Sequence, residues 1–145
     1  MSDYSTSLAE LRAAVLAACE REQEWPAKLA AGVYAALDFA VADPPAARAL
    51  MIDGRVRDEG DVYRRMIAGF AEQLAEVAPD DDRLPASNDQ ATVGSIASIV
   101  ADHVRSERLD RLGTIAPELV HLALLPYLGF DEAKRWTQAT ARNGR

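Results

Sequence analysis

The chain has little of what catalysts and nucleic-acid clamps are usually built from. Its one cysteine, Cys19, cannot form a disulfide within the chain, which excludes the framework of a disulfide-rich secreted domain and fits a reducing cytoplasm. Histidine is confined to His103 and His121. Neither has a second ligand at the spacing of a helical motif such as H-E-x-x-H, so no metal is expected. Basic residues are outnumbered, with 16 Lys and Arg against 23 Asp and Glu for a net charge of −7. That is the reverse of the concentrated positive patch that phosphates require, and no nucleic acid is expected to bind this chain.

Long apolar runs are missing too. Charges, Gly or Pro break every run well before the ~18 residues of a membrane span, and Met1-Ser2-Asp3-Tyr4-Ser5 lacks the charged and apolar regions of an export signal. A protein in solution is expected, with no membrane partner. There is no Gly-rich phosphate loop and no G-x-S-x-G elbow, so neither a cofactor nor an enzymatic activity is expected. Cys19 falls on an apolar helix face, which suits a small core hydrophobe better than a nucleophile.

What is present is helix-forming. The 145 residues are 49% hydrophobic but only 6% aromatic, and Ala, Leu, Arg and Glu are abundant while β-branched runs are few. One domain over residues 1–145 is expected, all-α, with about six to seven helices. Ser7 and Glu10 have capping-box spacing and open a helix to about Arg21 carrying Leu8, Leu11, Val15 and Cys19. Pro26 suits the first turn of a second helix with Leu29, Val33, Leu37 and Val41 as its stripe, and Trp25 packs inward at its entrance. Asp43-Pro44-Pro45 ends that helix and caps a short third one to about Asp53, which Gly54 breaks.

A fourth helix runs from near Glu59 to Val77, with Tyr63, Ile67, Phe70, Leu74 and Val77 on one face. Residues 78–88, with Pro79, three aspartates and Pro85, read as a mobile loop. Ser87 and Gln90 then repeat the capping-box spacing at the start of a fifth helix, about Asp89 to Arg105. A charged, exposed connection spans 106–113, and Pro117 suits the first turn of a sixth helix. Gly129 stops it, and Asp131 caps a short last helix anchored by Trp136 and fraying after Ala139.

Two candidate surfaces emerge. The fifth helix carries small residues at helical spacing, Ala91, Gly94, Ser95 and Ser98, with Ile99 beside them, and the sixth is apolar around much of its circumference, including Leu119, Leu122 and Tyr127. A helix that is apolar all round must be buried on more than one side. The excess points to a symmetry mate, and two copies of this helix pair would make a four-helix dimer interface; a tightly packed internal pair is the plain alternative. The second surface is interior: Trp25, Tyr34, Leu37, Met51, Tyr63, Met66, Ile67 and Phe70 suit a pocket for a small apolar or amphipathic molecule, with Tyr34 and Tyr63 as polar handles. An ordinary core explains the same residues equally well. The stretch from Gly54 to Arg65 could pass for a turn leading into a DNA-recognition helix, but Asp58, Glu59 and Asp61 would face phosphates.

Several phrases carry a resemblance. The run from Cys19 through Trp25-Pro26-Ala27-Lys28, then Ala36-Leu37-Asp38-Phe39 and Ala42-Asp43-Pro44, resembles the start of the C-terminal domain of actinobacterial TetR-family regulators. Ala116-Pro117-Glu118-Leu119-Val120, Leu125-Pro126-Tyr127-Leu128-Gly129 and Glu132-Ala133 are similar to that family's last dimerisation helix and the short helix after it. The resemblance implies an effector-binding and dimerisation domain, its last two long helices forming a four-helix dimer interface and its ligand chamber among the helices before them. The family's N-terminal helix-turn-helix is expected to be missing from this chain, cut away or naturally absent, so its DNA binding is not carried over. A homodimer with a small hydrophobic effector is expected; the rival is a ligandless helical interaction protein that pairs with itself or with a full-length regulator.

Overall fold

The computed structural model describes residues 4–53 and 61–142. They form one all-helical domain, and no strand occurs among the described residues. The elements are α1 (Tyr4–Glu20), α2 (Trp25–Ala42), α3 (Pro44–Arg48) running into a π turn (Ala49–Asp53), α4 (Asp61–Val77), α5 (Ala86–Arg105), α6 (Leu112–Leu128) and α7 (Phe130–Arg142). The expected break at Gly54 and helix start near Glu59 lie outside the described residues, as does most of the acidic turn weighed above as a DNA reader.

Helix α2 is the hub, packed against α1, α3, α4, α6 and α7. Its burial is wider than the stripe of large residues implies. Leu29 and Leu37 are buried as expected, but so are Ala30, Ala31, Tyr34 and Ala40, whereas Val41 is 41% exposed. Alanines let several neighbours approach at once, so a helix rich in them can be enclosed without an obvious apolar stripe. The approach to α1 is close at Gly32, where a Cβ would lie 3.1 Å from Cys19 Sγ and 3.5 Å from a methyl of Val15.

Tertiary packing moved several helix starts away from their local signals. Helix α1 is already formed at Tyr4, the first described residue; Tyr4 packs on the core and Ser7 is buried inside the helix at 1% exposure, so the Ser7–Glu10 box does not cap it. Helix α5 begins at Ala86 after Pro85, with no side-chain cap, so Ser87 falls inside its first turn, and Asp89 in the same turn is buried. Helix α6 begins at Leu112, which is fully buried, and Pro117 falls in its interior. The only bond Pro117 forfeits is the one to the carbonyl of Gly113, an exposed residue whose missing Cβ leaves room and water access.

Other signals hold. The Asp43 carboxylate accepts a hydrogen bond from the Ala46 amide at 3.2 Å and Pro44 opens α3. Gly129 ends α6 at φ 81°, its amide on the Leu125 carbonyl at 2.9 Å. Residues 78–85 form a loop tightened by a short turn at Asp80–Asp82, with the Arg83 guanidinium 3.1 Å from Asp80. The 106–113 connection is less exposed than expected: Leu109 is half-buried and Leu112 buried. Helix α5 ends in a Schellman arrangement, the Arg108 amide on the His103 carbonyl and that of Glu107 on Val104, with Glu107 in the left-handed region at φ 56°. Helix α7 does not fray at Ala139. Thr137 and Thr140 donate to the carbonyls of Ala133 and Trp136 at 2.8 and 2.9 Å, and the helix continues to Arg142.

Candidate functional site: an apolar chamber and the outer face of α5 and α6

The apolar face of α4 packs against the core and also borders an open space within it. Ile67, Phe70, Leu74 and Val77 are all half-buried, and they look onto a cavity of about 150 Å³. Helix α1 contributes Leu11 and Val15 to its wall; α2 contributes Leu29, Val33, Leu37 and Phe39 around Gly32; the π turn presents Leu50 and Met51. Helix α5 adds Thr92, Val93, Ile96, Ala97 and Val100, and α6 adds Ala123. Over the outer side of Phe70 the Arg12 guanidinium sits 5.6 Å from the ring centroid, linking α1 to α4.

Of the residues expected in a chamber, Leu37, Met51, Met66, Ile67 and Phe70 line it, and Trp25, Tyr34 and Tyr63 do not. Trp25 packs edge-on against Tyr127, ring centroids 5.6 Å apart, at the far end of α6. Tyr34 is buried in the core and Tyr63 half-buried beside it. The polar side chains on the wall are instead Gln73 and Thr92. Gln73 Oε1 is buried and has no hydrogen-bond partner. A signal for it existed: Gln73 stands three residues after Phe70 and four before Val77, a polar residue on an otherwise apolar face.

The second surface lies on the outer side of α5 and α6. Ala91, Ser95 and Ser98 are exposed, and at Gly94 an added Cβ would meet nothing within 4 Å. Ile99 is half-buried. On α6 the apolar excess is largely consumed inside the chain: Leu119, Val120, Ala123 and Leu124 are buried, with α2 and α7 packed against the helix. Leu119 therefore belongs to the core, not to an outer face. What remains outside is Leu122, Leu125 and, at the start of α7, Phe130, at 37%, 36% and 61% exposure. His121 braces Phe130, edge-on at 5.1 Å with Nε2 3.3 Å from its carbonyl oxygen.

Tyr127 turns inward. Its hydroxyl donates to Oδ1 of Asp89, which is 1% exposed, and the Asn88 amide donates to the same oxygen at 3.4 Å. The contact ties the first turn of α5 to the last turn of α6. Burial, reinforced by the Asp89 carboxylate, pushes the Tyr127 phenol above its ordinary range, with Arg83 pulling weakly the other way.

The thiol and one imidazole are each engaged by nearby backbone. Cys19 donates its S–H to the Lys28 carbonyl at 3.3 Å while Lys28 Nζ donates to the Cys19 carbonyl at 3.1 Å, and burial raises the thiol's pKa despite the lysine. His103 Nδ1 donates to the Ile99 carbonyl at 2.8 Å, one turn back on its own helix. Among the described residues no group of three His, Cys, Asp or Glu side chains could hold a metal ion, and no helix is long and apolar enough to cross a membrane. No family model matches the chain, and neither a curated protein nor a solved structure matches it.

Proposed function

We propose that the chain is the effector domain of a TetR-type regulator, a homodimer whose chamber takes a small, mainly apolar molecule. The sequence phrases at Trp25-Pro26 and Leu125-Pro126-Tyr127-Leu128-Gly129 first suggest this reading. The observation that carries it is the two-sidedness of α5. One face of that helix lines the cavity through Thr92, Val93, Ile96, Ala97 and Val100, and another leaves Ala91, Ser95 and Ser98 exposed. A ligand and a second subunit would share this one wall. Binding then biases the dimer only through a difference in affinity for its arrangements, which such a wall is placed to create.

Sedimentation velocity on the full chain tests the pairing. The wild type should run as a dimer at micromolar concentration. The double variant Leu122→Glu, Leu125→Glu should raise the dimer dissociation constant at least about thirtyfold, since two carboxylates would have to be desolvated at the centre of the interface. A monomeric wild type, or a double variant as dimeric as the parent, defeats this reading.

A further inference from the structure

The wall of the chamber also restricts the chemistry of what enters it. Resting on the chamber reading above, we infer that the occupant is a compact, uncharged molecule of about one ring that carries a single hydroxyl and hydrogen-bonds to Gln73. Size is the first argument. The apolar cavity is partly open and holds about 150 Å³, room for one benzene ring, and Phe39 and Phe70 offer ring surfaces in its wall.

Charge is the second. Among the described residues that line the cavity, none is Asp, Glu, Lys, Arg or His. A buried carboxylate, phosphate or ammonium would have no counter-ion there, and desolvating it unpaired is prohibitive. Polarity is the third. Gln73 is on the wall, and its Oε1 is buried without a partner. A fully hydrocarbon ligand leaves that cost in place, whereas a ligand hydroxyl removes it. A hydroxyl both donates and accepts, so it pairs with the primary amide whichever end of the amide is turned to the cavity.

The probes are toluene, p-cresol and p-toluate, which share a methylated ring and differ in one substituent. Isothermal titration into the full chain should show p-cresol binding about tenfold tighter than toluene, and p-toluate at neutral pH not binding measurably. In Gln73→Met, similar in volume, p-cresol should fall to the affinity of toluene while toluene is held as well or better. The inference is overturned if the wild type does not distinguish p-cresol from toluene, if the preference survives in Gln73→Met, or if p-toluate binds best; toluene bound in the wild type still leaves the chamber standing in those cases. Failure of all three probes in the wild type overturns the chamber reading itself.

Discussion

The pair α1–α2 and the pair α5–α6 both carry glycine where helices could meet closely, yet they use it differently. Gly32 on α2 is filled: a Cβ there would press on Cys19 Sγ at 3.1 Å, and the two helices pack along their lengths. Gly94 on α5 meets nothing within 4 Å, and α5 and α6 touch far more sparsely. Where packing is thin a hydrogen bond substitutes, Tyr127 to the buried carboxylate of Asp89. A small residue already answered by a neighbour is part of the core, and one with nothing against it is open surface within this chain.

The largest test of this difference is at the filled glycine. Gly32→Val should destabilise the fold by about 2–3 kcal/mol through overpacking against α1, read as a lowered urea midpoint. A loss smaller than that of an exposed helical substitution would mean that the pair is not closely packed.

Next is the hydrogen bond that stands in for packing. Tyr127→Phe removes the donor to a buried carboxylate and should cost about 1–2 kcal/mol at neutral pH. It should also change the alkaline limb. The folded-state pKa of Tyr127 is raised, so its contribution is complete below the ordinary phenol value of about 10 and is lost as pH rises beyond it. The wild type should therefore lose stability above about pH 10 more steeply than Tyr127→Phe, and parallel curves would refute the assignment.

The smallest effect has the opposite sign. Gly94→Ala has room for its methyl and should stabilise the subunit by about 0.5–1 kcal/mol through helix propensity. If the outer face is a close subunit contact, the same methyl should weaken the dimer. A more stable subunit with unchanged self-association would show that Gly94 lies off the interface.

Much of the fold was legible because it is written in periodicity. The stripe Ile67, Phe70, Leu74 and Val77 marked the α4 face that borders the cavity, and Asp43-Pro44 and Gly129 marked element ends whose chemistry is local. The misread starts are local signals that fall inside a helix. Ser7, Ser87 and Pro117 each satisfy a local rule for a helix start, but the helices are already formed ahead of them, with half-buried Tyr4 before Ser7 and buried Leu112 before Pro117, and no local pattern reports that packing. The polar handles were misassigned for a similar reason: tyrosines stand out in a sequence, whereas whether Tyr34 meets a cavity or a packed neighbour depends on how α2 is enclosed. The small residues of α5 are visible in the chain, but their openness exists only once α6 has been placed.

The thinness of α5 has a mechanical consequence. An α-helix is about 10 Å across with its side chains, so the cavity and the exposed serines are separated by a single cylinder. Turning that cylinder by about 20° carries side-chain atoms on its far side, about 3–5 Å from the axis, through about 1–2 Å, the scale of helix shifts that switch subunit interfaces. If a ligand and a second subunit share this helix as proposed, Val93 and Ser95 would be two ends of one short lever, its gearing set by helix geometry.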